Sequence, residues 1–305
     1  MDNNSVLSHS SYDKKSFRSG VAACTACGII WGFLPIYWGL LNDVNSMYIL
    51  ANRIIWSAVF MAAYMAAAGR MREIREALRS LKNVRICFVS GILISINWGI
   101  YIYAVNNGHV LDSSMGYFVE PVIVAFMGVI LFKEKMNRYE KITLAFAVAG
   151  MLYMVIMSRI LPVIALLLAL SFAMYGAVKK SVKLSPQTSL LLETLFMTPF
   201  ALLFVVYAEM HGCGALGVLS GASWVLIPLC GVITSVPLLL FNIGVKHIPY
   251  YMVGILEYVS PSLQFLLGLL YFHESVDINR LTAFIIIWVG ISFTLYDRIM
   301  HKNEA

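Results

Sequence analysis

Long apolar runs alternate with short polar turns along almost the whole chain. A helix rises about 1.5 Å per residue and a bilayer core is roughly 30 Å thick, so about 20 apolar residues mark one crossing. The pattern predicts ten spans, at 19–41, 47–69, 84–106, 113–132, 139–157, 161–178, 187–208, 222–245, 249–272 and 280–299. The connections are short, with no Pro/Ser-rich linker and no low-complexity tract. Two are longer. In 70–83 the basic residues Arg72, Arg75 and Arg79 recur at helical spacing, which predicts an amphipathic surface helix or, more simply, a polar turn. In 209–221, Gly212, Gly214 and Gly217 match GxGxxG, but no βαβ unit surrounds them, so the match is chance.

A second pattern has a period of 140 residues. Gly91 meets Gly231, Ser95 meets Ser235, Val105 meets Val245, Pro121 meets Pro261, Gly128 meets Gly268, Phe132 meets Phe272, Glu134 meets Glu274 and Gly150 meets Gly290, without a gap. The chain divides accordingly into a polar segment 1–18, one repeat at 19–157, a second at 160–299 and a tail at 300–305. Each copy crosses the membrane five times, an odd number, so the second lies upside down relative to the first. The fold class is an all-α integral membrane protein of ten transmembrane helices in two inverted five-helix repeats, the architecture of secondary carriers.

Composition agrees with this reading. Of 305 residues, 60% are hydrophobic and only 12% charged, against about 25% charged in soluble domains. The net charge of +6 would suit nucleic acid were it not placed for orientation. Nineteen of the 22 Lys and Arg residues fall on one side of the spans: Lys14, Lys15, Arg18, the six between Arg70 and Arg85, the four between Lys133 and Lys141, Lys179, Lys180, Lys183, Lys246, Arg298 and Lys302. Only Arg159 and Arg280 fall on the other side, and Arg53 lies within a span. The positive-inside rule then puts both termini in the cytoplasm. No cleavage site follows the first span, which is read as retained. Five cysteines make no disulfide framework, and the CxxC at Cys24 and Cys27 sits mid-span, where packing explains it. No metal or cofactor is expected, and no HExxH, nucleophile elbow or Walker sequence suggests an enzyme. His273-Glu274 lacks the second His of a zincin.

The candidate chemistry lies where polar groups enter the spans, because charge near mid-membrane costs about 2.5–3.5 kcal/mol and marks a cavity or a partner. Glu120 and Glu257 stand near mid-span beside Pro121 and Pro261, each of which removes a backbone hydrogen bond and is expected to kink its helix. Tyr117 and Glu120 share one helix face, and Glu257, Ser260 and Gln264 share another. In the repeat register Glu120 corresponds to Ser260, and Tyr117 to Glu257. If both helices line one cavity, the acids flank the pseudo-two-fold axis, and proton coupling or recognition of a cationic substrate follows. Arg53 corresponds to Glu193. Arg53 lines the cavity or joins an ion pair, or else it snorkels to the outer surface. Asn97, Trp98, Tyr101 and Asn106 on the third span, Asn242 on the eighth and Tyr258 on the ninth complete the candidate substrate or coupling-ion set. Trp38, Tyr48 and Tyr271 read as interfacial anchors, His109 and His247 as solvated loop residues, and Gly28/Gly32 as a close-packing face.

The same residues carry a resemblance. Trp31-Gly32, Asn52-Arg53-Ile54-Ile55-Trp56-Ser57, Asn97-Trp98, Ala104-Val105-Asn106-Asn107, Gly116-Tyr117-Phe118, Leu192-Glu193-Thr194, Val236-Pro237-Leu238-Leu239 and the run Ser262 to Leu267 resemble the RarD group of the EamA family, within the drug/metabolite transporter superfamily. The resemblance covers nearly the whole chain. It implies two EamA repeats in a bacterial inner (cytoplasmic) membrane and export of small organic metabolites or drugs. Alternating access driven by the proton gradient is the mechanism to be expected, with a small-molecule substrate and the lipid bilayer as partners. Monomer and homodimer both stay open. The chain departs from the group's pattern at Asn52, where a His is usual, and at Glu120 and Glu257, where amides are usual. Alternative readings are a membrane sensor or partner subunit without transport, and an enzyme acting on lipid-linked substrates.

Overall fold

A computed structural model describes residues 13–107, 110–158, 163–273 and 277–300, without the side chains of 105, 106, 110–114 and 298–300. His109, Arg159, Glu274 and Lys302, and the side chains of Asn106 and Arg298, therefore lie outside the described residues. The first half contains α1 (Lys14–Gly39), α2 (Ser46–Ala67), α3 (Met71–Leu78), α4 (Leu81–Asn106), α5 (Val110–Leu131) and α6 (Arg138–Ser158). The second contains α7 (Val163–Ser181), α8 (Pro186–Met210), α9 (Leu226–His247), α10 (Tyr250–Glu257), α11 (Val259–Leu270) and α12 (Ile278–Met300). No strand occurs among the described residues. Among the described residues, nine helical segments are long and apolar enough to cross a membrane, α10 and α11 together making one of them, and α5 adds the shorter apolar run Met115–Leu131. The remaining helix, α3, is the short amphipathic element at 70–83, with Ile74 and Ala77 buried and its arginines exposed.

Local sequence explains where the helices start. The Asp13 side chain accepts from Ser16 N, Asn45 from Met47 N and Tyr48 N, and Ser185 from Thr188 N, with Pro186 in the first turn of α8. These caps satisfy amides that a helix leaves without partners. In the loop after α8, Gly212 and Gly217 have φ of +69° and +87°, so turns account for the glycine spacing there.

The halves pack as an inverted pair. α2 packs on α9 as α8 packs on α4, and α1 on α9 as α7 on α4. Small residues at equivalent places let the backbones meet, since association in lipid rests on close packing. A Cβ added at Gly91 would lie 2.9 Å from the Glu193 carbonyl oxygen, and one at Gly231 2.3 Å from the Trp56 carbonyl carbon. α6 and α12 run antiparallel, with Gly150 against Ile287 and Gly290 against Phe146. Gly28 and Gly32 face Val259 and Leu263, so the small-residue face of α1 is used inside the bundle, against α11.

The two prolines act unequally. α5 continues through Pro121 as one helix, whereas the ninth span, read from sequence as 249–272, divides at Tyr258. Pro261 has no N–H to give the carbonyl of Glu257, the last residue of α10, and the break falls next to it, at Tyr258.

Candidate functional site

A cavity of about 460 Å³ lies between the two halves. It reaches Trp38, Gly39 and Asn42 at the end of α1 and Phe272 beyond α11. These positions are at the face opposite the start of α1 and the end of α12, called here the mouth and the terminal face. Eight of the twelve candidate polar and aromatic residues line it: Arg53, Asn97, Trp98, Tyr101, Tyr117, Glu120, Glu257 and Gln264, together with Pro121 and Pro261.

α5 and α10 position the two acids. A Cβ at Gly254 would stand 2.4 Å from the Pro121 carbonyl oxygen, so the backbones touch there. Four residues on, the Tyr258 hydroxyl donates to the Phe118 carbonyl at 3.1 Å. Phe118 and Tyr258 are themselves 140 residues apart, so this bond marks the pseudo-two-fold axis. Glu120 and Glu257 project beside it, one from each half. Both oxygens of Glu257 are buried without a hydrogen-bond partner among the described residues. A buried carboxylate in that position is costly unless a proton or a cation joins it.

Arg53 is held differently. Its guanidinium carbon lies 4.8 Å from the Trp38 ring centroid and 4.4 Å from that of Trp98, and its Nε donates to Thr234 Oγ1 at 3.0 Å. No ion pair joins it to Glu120 or Glu193 among the described residues. Trp38 is thus a wall of the cavity rather than an interfacial anchor, because Arg53 supplies a cation for its face. Tyr48, also read as an anchor, is buried in the core, while Tyr271 is exposed. Asn97 donates to the Leu168 carbonyl at 2.8 Å and to Ser171 Oγ at 3.0 Å, which ties α4 to α7. Gln264 donates to the Trp31 carbonyl and to Ser260 Oγ, each at 3.2 Å.

Glu193, Asn242 and Tyr258 do not line the cavity. Beneath it, Trp31 and Phe172 pack on Phe241, with ring centroids 5.9 and 5.0 Å away, and Tyr175 stacks on Phe241 at 6.1 Å. Below these rings Glu193 accepts from Tyr175 Oη at 2.9 Å, Ser90 Oγ at 2.9 Å and Lys179 Nζ at 2.8 Å, with both charged side chains 1% exposed. Lys179 also donates to Ser189 Oγ at 2.6 Å. Asn242 Oδ1 sits 3.5 Å from Tyr175 Oη. Nearer the terminal face, Glu134 accepts the amides of Tyr250 at 2.8 Å and Tyr251 at 3.0 Å, a negative charge at the positive end of α10. Lys180 lies 3.3 Å from Glu134 and donates to the carbonyls of Val245 and Ile248. His247, read as solvated, is half-buried and bonds through Nδ1 to the Ile243 carbonyl at 2.7 Å.

The residues missed from sequence are Trp31, Trp38, Phe172 and Thr234 in the cavity wall, and Lys179 below it. The signal existed for three of them. Trp31, Leu34, Pro35 and Trp38 follow helical spacing on one face of α1. Lys179 continues the buried stripe Leu168, Phe172, Tyr175 of α7, and only its membership of a basic cluster hid it.

Comparison with known proteins places the chain. The model of the EamA-like transporter family matches residues 18–156 and again 160–296. The uncharacterized transporter YojE of Bacillus subtilis is 38% identical over 291 residues, covering 94% of this chain and 97% of that protein. Protein RarD of Salmonella typhi is 33% identical over 292 residues, covering 96% and 99%. A solved crystal structure superposes with a TM-score of 0.71 at 15% identity, covering 91% of this chain and 97% of the other, which supports the fold alone.

Proposed function

The chain belongs to the EamA-like transporter family and is a multi-pass membrane transporter, and from that premise we propose that it is a proton-driven secondary carrier exporting small organic molecules by alternating access. One observation carries this reading: a cavity between inverted halves, with one acid from each, reaches one face and is closed toward the other by packed aromatic rings and two ion pairs, one of them buried. Carriers of inverted repeats place the site near mid-membrane and expose it to each side in turn. A volume of about 460 Å³ with mixed aromatic and polar walls suits a small organic solute.

The basic clusters support an inner-membrane orientation with the terminal face in the cytoplasm, so the described state faces outward. Export would then load the solute when the terminal face opens and release it in this state. The test is counterflow in proteoliposomes: a labelled solute inside should exchange faster when the same solute is added outside. No counterflow and no solute-linked proton movement for any member of a panel of neutral, anionic, cationic and zwitterionic solutes would sink the carrier reading.

A further inference from the structure

We propose, resting on the carrier reading above, that the cavity takes a monovalent organic cation with a flat apolar body, and that this cation displaces a single proton held by the Glu120/Glu257 pair. The charged groups on the cavity wall are Arg53, Glu120 and Glu257. With both acids ionised they sum to −1. The Arg53 charge is already met, because its guanidinium lies between two indole faces with Nε on Thr234. Neither acid has a cationic partner among the described residues, and the Glu257 oxygens have no hydrogen-bond partner there. A neutral solute leaves that charge to the proton, and an anion adds to it. A monovalent cation can take the proton's place.

The neighbours of the acids fit the same solute. Trp31, Trp98, Tyr101, Tyr117 and Phe172 surround them with aromatic groups, which attract a desolvated cation electrostatically and solvate its apolar body. The Gly254–Pro121 contact and the Tyr258–Phe118 bond bracket Glu257 and Glu120 at one crossing of α10 and α5. Two carboxylates on the wall of one cavity, with both oxygens of Glu257 buried, favour holding a proton or a cation, since bare charges repel strongly in a low dielectric. The exchange balances: the cation forms an ion pair with a carboxylate as that group's O–H bond breaks, and the proton leaves to the solution on the open side. Reprotonation on the other side releases the cation. One positive charge crosses each way, so the exchange is electroneutral.

The titratable groups around Glu257 are Glu120 and Tyr117 on α5, Cys24 and Cys27 on α1, Tyr250 on α10 and Tyr258 at the break, with Arg53 of α2 and Tyr101 of α4 on the cavity wall. Among these only the two glutamates combine a carboxylate with a place on the wall.

The experiment uses the purified full chain in lipid nanodiscs at pH 8, with 1-methyl-4-phenylpyridinium and its uncharged parent 4-phenylpyridine as probes. Calorimetry in two buffers of different ionisation enthalpy counts protons. The cation is expected to bind with release of about one proton and at least roughly tenfold more tightly than the parent, the scale of one charge-assisted contact. Glu257→Gln and Glu120→Gln should each weaken cation binding roughly tenfold or more and reduce proton release, with unfolding temperatures close to the unsubstituted protein. Equal binding of the parent, cation binding without proton release, no cation binding, or unchanged behaviour in both variants overturns the inference. The carrier reading would then still be decided by counterflow of other solutes.

Discussion

Arg53 and Glu193 stand at equivalent positions of the two repeats and do opposite things. Glu193 is sealed, accepting from Tyr175, Ser90 and Lys179 under a layer of packed aromatic rings. Arg53 faces the cavity with one side-chain hydrogen bond and two ring faces. Repeat symmetry therefore builds the scaffold twice, while the substituents make one end closed and satisfied and the other open and underpartnered. The same lesson holds for the prolines. Pro121 sits inside a continuous α5, and Pro261 follows the break between α10 and α11 that leaves Glu257 at a helix end.

The largest effect should come from the sealed end. Lys179→Met leaves Glu193 buried with its charge uncompensated, and unfolding in a denaturing-detergent titration should show a loss of about 3–5 kcal/mol. The double change Lys179→Met with Glu193→Leu should restore most of it, because the isolated charge is gone. A smaller loss, about 1–3 kcal/mol, is expected for Gly254→Ala, whose added methyl meets the Pro121 carbonyl. If the bracket at the acids matters for the open end, this variant should also slow counterflow. Tyr258→Phe removes a single buried hydrogen bond and should cost about 1 kcal/mol.

The smallest effects belong to α3, outside the spans. A hydrogen bond from Arg70, reinforced by Ser185 and Thr188, holds the Glu73 carboxyl down at about 2. Its folded value lies below the usual value for a free carboxyl, about 4.3, so its contribution is fully present above pH ~4.3 and is lost as pH falls through about 2. The group is partly exposed, so the change should not exceed about 1 kcal/mol. A nitroxide at Arg72 should gain mobility over that pH window and lose the pH dependence in Glu73→Gln. Replacing Arg72 itself by Ala, which breaks only an exposed pair with Glu76, should change stability by less than about 0.5 kcal/mol.

Much of the fold was legible in the sequence because lipid imposes length and composition on every span, and because the 140-residue register runs without a gap. The cavity was legible where a polar group interrupts an apolar face, as at Glu120, Glu257, Arg53 and Asn97. Trp38 was hidden because an aromatic near a helix end looks the same whether it faces headgroups or a guanidinium from another helix. Lys179 was hidden because a basic cluster at a span end satisfies the orientation rule before any buried partner is considered. The unequal prolines were hidden because equal residues in equal register do not reveal which helix their surroundings hold intact.

The most direct measurement is the distance between spin labels at both ends of the same two bodies, α1 with α11 and α4 with α7. One pair sits at the mouth, on Tyr103 and Tyr271, and the other at the terminal face, on Lys15 and Lys183, all exposed positions. On addition of a transported solute, alternating access predicts that the mouth distance shortens while the terminal-face distance lengthens. Two distances that stay fixed under counterflow conditions, or that change in the same direction, would contradict it.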